Sequence, residues 1–284
     1  MADQLTVIVV ALLGGDALAS CLAAIRLQAT TILVVDRDGG IFDGEMRQVG
    51  RASALNIPAK RQSAVELAST PLVALIEDIV APDAGWADAA AAALSRKGVV
   101  GCGGPVRIPD TLPASTRALA LAEYARFNDR TAEGAVKSLP GCNFAFRRED
   151  LLDAMHGSDG LVDQEVFRRL NEPGHMLAWA PDMGVIFARA FEEGASLKTR
   201  FQHGRIYGSS EASRGGLPGR AMTVAKGFAL PAVLTMRTLA SATPRQRRSV
   251  MTVAWLLVQH AAWSAGEITG AVMGASRKGL GEWR

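Results

Sequence analysis

Three acidic stations stand in order along the chain, each at the edge of a regular element. Asp36 closes the apolar run Thr31–Val35. Glu77-Asp78 ends Leu72-Val73-Ala74-Leu75-Ile76 and is followed by Pro82 and Gly85-Trp86. Asp163 leads the segment Asp163-Gln164-Glu165-Val166-Phe167-Arg168-Arg169-Leu170. A strand that is apolar at every position is buried on both faces, as in a parallel sheet between helices. Ligand sites of such sheets lie at the carboxyl ends of the strands. An acidic pair there is costly unless it meets a metal, a cation or a substrate. Plainer roles compete at each position. Asp36 can also be read as a turn cap, Asp163 as a helix N-cap and Asn143 as a backbone partner at a strand end; His203 reads equally as a surface residue, and Trp86 reads rather as a core anchor beneath the acidic loop.

The elements that must hold these residues alternate strand and helix through the first half. Leu5–Leu13 reads as a buried strand, turned by Gly14-Gly15-Asp16 into a helix over Ala17–Gln28, and Thr31–Val35 is a second strand. A helix is expected at Ala59–Ala68, then the Leu72–Ile76 strand, an alanine-rich helix over Trp86–Leu94 and a glycine-interrupted strand over Val99–Val106. This order predicts an α/β fold with a mostly parallel, Rossmann-like sheet flanked by helices. Residues 109–137 are helical but irregular. Gly141–Phe146 then reads as a strand, Gln164–Asn171 as a helix, and Met176–Ala180 and Gly184–Phe187 as short strands.

The tail has another character. Met222–Leu239 and Val250–Met273 are apolar and helical, separated by the basic stretch Thr243-Pro244-Arg245-Gln246-Arg247-Arg248. Gln259, His260 and Glu267 interrupt the second segment, and a span needs about 20 cleanly apolar residues. The pattern favours attachment at a membrane interface, with Trp255 and Trp263 at headgroup depth, over a buried or oligomer-forming hairpin. The expected division is residues 1–215 for the α/β domain and 216–284 for this extension.

Composition narrows the function classes. The 284 residues are 49% hydrophobic and 21% charged, and a net charge of +3 argues against dedicated nucleic-acid binding. Cys21, Cys102 and Cys142 form no CxxC pair, and the N-terminus shows no basic n-region, so a reduced cytoplasmic compartment is expected.

Taken in order, the motifs resemble glycosyltransferase family 2 over roughly residues 5 to 210. Val34-Val35-Asp36 matches its second strand. Lys60-Arg61-Gln62-Ser63-Ala64-Val65-Glu66-Leu67-Ala68 matches its Ala-Arg-Asn helix, and Leu72–Ile79 with Pro82 and Gly85-Trp86 its acidic strand end. Gly141-Cys142-Asn143-Phe144-Ala145-Phe146-Arg147-Arg148 matches Gly-x-Asn-x-Ala-x-Arg-Arg. Val162–Leu170 matches Glu-Asp-x-Glu-Leu-x-x-Arg-Leu, and His203-Gly204-Arg205-Ile206-Tyr207-Gly208 matches a closing basic segment.

The resemblance implies a GT-A fold and an inverting transferase of the bacterial cell envelope, moving a sugar from a nucleoside diphosphate to a lipid or glycan hydroxyl. It implies Asp163 as the base, and Ala11, Asp36, Arg61, Glu77 and Asp78 around the donor. Asn143, His203 and Arg205 would contact acceptor or diphosphate, and Mg²⁺ or Mn²⁺ would bind through Asp78. The basic cluster and apolar helices of the tail add the expectation of a peripheral place at the inner face of the cell membrane, with a homo-oligomer open. Ile79 stands where relatives often carry a third aspartate, and Val162 where they carry an acid. An inactive sugar-nucleotide-binding protein of the same fold is therefore the alternative.

Overall fold

The computed structural model of the protein describes residues 4–29, 31–50, 56–128, 132–158, 160–171, 174–189 and 193–274. They divide into two compact units. One holds residues 4–107 and 132–188, the other 108–128 and 189–274. The helical unit takes in a segment from the middle of the chain as well as the residues from 189 on.

The first unit opens β1 (Leu5–Ala11), α1 (Gly15–Arg26), β2 (Thr31–Asp36), β3 (Ile41–Asp43), β4 (Gln48–Gly50) and α2 (Ile57–Leu67). It continues β5 (Leu72–Glu77), β6 (Val80–Pro82), α3 (Trp86–Ser95), β7 (Val99–Gly103) and β8 (Val106–Arg107). Every residue of β1 is buried, as its unbroken apolar run requires. Asn56 caps α2, its Oδ1 accepting from Ala59 N at 3.0 Å, with Pro58 preset for the first turn.

The second unit receives α4 (Ala114–Tyr124). The chain then returns to the first with β9 (Gly134–Val136), β10 (Asn143–Arg147), α5 (Arg148–Met155), α6 (Asp163–Leu170), β11 (Met176–Trp179) and β12 (Val185–Phe187). The main sheet runs β4-β3-β2-β1-β5-β10-β7-β11-β9, and β6-β12-β8 form a small second sheet. β1 lies parallel between β2 and β5, while β10 enters antiparallel between β5 and β7. Phe144, Phe146 and Phe167 stack edge to tilted within the core under this junction, their centroids 5.2–6.4 Å apart.

Two expected strands end early for visible reasons. β1 stops at Ala11 because the next three amides turn to a carboxylate. The run Val99–Val106 splits at Gly104, where a Cβ would meet Met183 O at 2.1 Å, and its halves enter different sheets.

The second unit is helical: α4, α7 (Glu193–Ser241), α8 (Pro244–Arg248) and α9 (Val250–Met273). α7 comprises two helical segments that meet at Gly216, whose φ of 58° and ψ of −151° only a glycine adopts comfortably. A capping box of Thr243 and Gln246 starts α8, and Ser249 caps α9. The first segment of α7 runs beside α9 in the same direction. Ser196 Oγ accepts from Gln259 Nε2 at 3.0 Å, and the Arg200 guanidinium lies 4.6 Å over Trp263. The second segment runs the opposite way, with Ser264 bonded to the Gly227 carbonyl and Thr238 Oγ1 3.2 Å from His260 Nε2. Among the described residues no helix is long and apolar enough to cross a membrane.

Candidate functional site

The carboxyl ends of β1, β2 and β5 share one edge of the sheet, because Ala11 pairs with Asp36 and Val10 with Glu77. Ala11, Asp36, Glu77 and Asp78 are therefore neighbours, as expected of this strand order. Their side chains are put to particular uses.

Asp78 is fully buried. Its Oδ1 accepts from Leu12 N at 3.0 Å, and its Oδ2 from Leu13 N at 3.0 Å and Gly14 N at 2.8 Å. Its own amide donates to Val10 O at 3.1 Å. Three successive N–H groups wrapped around one carboxylate form an anion nest, and charge-assisted bonds of this kind are the strong ones. Gly14 and Gly15, both at positive φ, bring the chain out of the nest and into α1. Asp78 thus anchors the β1–α1 loop.

Asp36 closes the next turn, accepting from Asp38 N at 2.9 Å and from Gly39 N. This is the turn-capping geometry that aspartate favours. Beneath it lies Lys60, 1% exposed, whose Nζ donates to Asp36 O at 3.1 Å and Arg37 O at 2.7 Å. Lys60 sits next to a motif residue, yet nothing in its own type marks it as part of the site. A lysine on a helix reads as solvated unless the two carbonyls it meets are known.

Arg61, the following residue of α2, is buried and pairs with Asp163 at 3.0 Å. Its guanidinium lies 5.2 Å from the Phe144 ring, and among the described residues its Nε finds no hydrogen-bond partner. Asp163 is the first residue of α6, not its cap, which is Val162. Burial holds the Asp163 carboxyl above the usual aspartate range, and the Arg61 charge opposes this. Oδ1 is enclosed against Arg61, while the side chain as a whole keeps 26% of its surface open. Oδ2 lies beside Gly141, where a Cβ would meet it at 2.6 Å. Glycine is needed there to give the carboxylate room.

Asn143 is fully buried and occupied by the fold. Its Oδ1 accepts from Trp86 Nε1 at 2.7 Å, and its Nδ2 donates to Met183 O at 2.8 Å and Gly104 O at 3.2 Å. It pins the start of α3 to the β7–β8 turn, and Trp86 is a core anchor.

His203 and Arg205, expected on a closing loop, lie in α7 of the helical unit. Burial, aided by the positive Arg200, pushes the His203 imidazole down to about 4, so it is neutral at physiological pH. Arg205 Nε donates to Gly274 O at 3.0 Å. Gly204 and Gly208 face the α9 backbone: a Cβ on either would meet the Trp263 or Glu267 carbonyl at 2.0 or 2.1 Å.

The donor set does not fit a divalent cation. Among the described residues no group of three His, Cys, Asp or Glu could hold one. The Asp78 oxygens are spent on three amides, and Ile79 is buried and apolar. The metal role implied for Asp78 is replaced by that of loop anchor.

No protein-family model matches the chain, and no curated protein is similar to it. Solved structures are. The mannosyltransferase PcManGT from Pyrobaculum calidifontis, determined in complex with GDP-Man and Mn²⁺, is similar over 96% of this chain and 88% of its own, with a TM-score of 0.57 at 16% identity. A mycobacterial protein (TM-score 0.46, 17% identity, covering 68% of this chain and 70% of that one) and GalNAc-T7 with UDP, GalNAc and Mn²⁺ (0.47, 12%, 67% and 45%) are more distant. The three-layer unit with its β2-β1-β5 centre, antiparallel β10 and small second sheet therefore has the GT-A fold, carried by a strongly diverged sequence.

Proposed function

We propose that the α/β unit binds a nucleoside diphosphate sugar at the carboxyl edge of β1, β2 and β5 and transfers the sugar, with inversion, to a hydroxyl of a lipid or glycan acceptor. One observation carries the reading. Consecutive residues of α2 reach both halves of such a site: Lys60 fixes the Asp36 turn, and Arg61 holds Asp163. The nucleotide turn and the candidate base are thereby set on one rigid helix.

Asp163 suits the work of a base. A hydroxyl is a poor nucleophile and needs a positioned proton acceptor, which is strongest when its pKa lies closer to the working pH. Burial moves Asp163 that way, and the charge and hydrogen bond of Arg61 oppose the shift.

A second reading, nucleotide-sugar binding without transfer, is favoured by the same Arg61–Asp163 pair, because a base tied to a buried guanidinium is a weaker one. A panel of UDP- and GDP-sugars, assayed for transfer and hydrolysis, separates the two. Asp163→Asn is expected to lower turnover by roughly 10²- to 10⁴-fold, the usual worth of general base catalysis, with nucleotide affinity unchanged. Full turnover in Asp163→Asn refutes the base. Binding without turnover in the wild type favours the second reading.

A further inference from the structure

Helix α9 has its polarity reversed. Its exposed residues, among them Val250, Ala254, Leu257, Val258, Ala261 and Ala265, are all apolar, and they fall on one face at intervals of three and four. The buried side carries Thr252, Gln259, His260, Ser264 and Glu267. A helix of a water-soluble unit does the opposite. The second segment of α7 is mixed: Phe228 is 80% and Met236 64% exposed while Thr235 is buried, but Lys226 and Arg237 are exposed as well.

The interior agrees. Buried Arg200 pairs with Glu123 at 3.7 Å, and burial raises the Glu123 carboxyl. Gly204 and Gly208 on α7 interlock with Gly266 and Gly270 on α9. At the latter two, a Cβ would meet the Phe201 and Arg205 carbonyls at 2.0 Å. Close glycine contacts and inward polar groups are how helices pack when their outer faces are not in water.

At the head of α9, α8 carries Arg245, Arg247 and Arg248, all exposed, with the Arg245 side chain 89% open. An apolar helix face of 24 residues, about 36 Å long, starting at a cationic cluster is complementary to an anionic bilayer surface.

We infer that the helical unit docks on an anionic lipid bilayer, with the Val250–Ala265 face of α9 lying in the interface and the α8 arginines among the headgroups. The bilayer covers the apolar face that the fold leaves open, and the helix lies along the membrane. This attachment does not depend on the transfer reaction.

The test is co-sedimentation of the full chain with vesicles of phosphatidylcholine, alone or mixed with phosphatidylglycerol. The wild type is expected to partition onto the mixed vesicles and less onto the neutral ones. Arg245→Glu/Arg248→Glu, both at exposed positions, lowers partition onto the mixed vesicles by on the order of thirtyfold or more, counting a factor of about five for each cation removed from the surface. Leu257→Glu/Ala261→Glu abolishes binding to both, and unchanged helical content by circular dichroism shows that these variants fold. A wild type that stays in solution with both vesicles overturns the inference, even if the glutamate variant fails to fold. So does a lipid-free dimer, seen by light scattering, that the glutamates split, because a second copy is then the occupant.

Discussion

Replacing Asp78 with alanine separates its two conceivable tasks, because they predict opposite behaviour without metal. In the structure its carboxylate is the shared acceptor for the amides of Leu12, Leu13 and Gly14. Removing it leaves three donors at the sheet edge without their acceptor. A buried donor so orphaned costs about 1–3 kcal/mol, and the loop can relax toward water, which keeps each near the lower bound. The sum is about 3 kcal/mol. For a unit of this size, 1 kcal/mol shifts Tm by about 2–4 °C, so the α/β unit should melt about 6–12 °C lower. Asp78→Asn retains one acceptor oxygen but turns an amino group toward the other amides, and should lose about half as much. The assay is calorimetric melting in EDTA, with UDP and GDP titrations in EDTA and in Mn²⁺. On the proposed function, nucleotide affinity should fall equally under both conditions, because the β1–α1 loop at the proposed nucleotide edge is no longer fixed. A carboxylate kept for a cation behaves otherwise. Asp78→Ala would then melt with or above the wild type in EDTA and lose only a Mn²⁺-dependent increment of affinity. That pattern refutes the loop-anchor assignment.

Two further outcomes concern the helical unit. Gly266→Val should force α9 away from the Phe201 carbonyl, which a Cβ would meet at 2.0 Å; overpacking costs typically 1–3 kcal/mol, so a lowered Tm is expected, and an unchanged one refutes the close approach. His203 and His260 are both pushed to about 4, by burial and then by Arg200. Unfolded histidine takes up its proton near 6.5, so the unfolded state binds more protons between these values. The stability held above pH 6.5 should drain away as pH falls toward 4. Melting between pH 7.5 and 5 checks this, and a flat profile refutes it.

The strands and helices of the α/β unit are legible because unbroken apolar runs and glycine turns dictate them. Leu72–Ile76 becomes β5, Trp86–Leu94 becomes α3, and Thr31–Val35 becomes β2, each within a residue or two. The uses of the acidic side chains are not legible. The partners of Asp78 are backbone amides, which every residue possesses and which leave no mark on the sequence. Lys60 looks like a solvated helix residue until two carbonyls 24 and 23 positions upstream are placed over it. Asn143 satisfies a family pattern and is nevertheless spent on Trp86, Met183 and Gly104. In the second unit, Gly204 and Gly208 lie inside a helix although glycine weakens helices. Their reason for being there is the neighbouring backbone, which is distant in sequence.

The course of Ile108–Asn128 bears on how the protein comes into being. This stretch leaves the α/β unit after β8, contributes α4 to the helices, and the chain re-enters the sheet at β9. Arg117 on α4 donates to Thr252 Oγ1 at 2.9 Å, a partner 135 residues later, and the carbonyl of Ile108 accepts from Gln246 at 2.9 Å, 138 residues later. At roughly 5–20 residues per second, a ribosome needs on the order of ten seconds to supply those partners. Within that interval β9 to β12 are also made and the sheet can close, while the face of α4 that meets α9 stays uncovered. A chain cut after residue 215 would wait indefinitely, so shortening the tail to isolate the α/β unit would damage a helix encoded a hundred residues earlier.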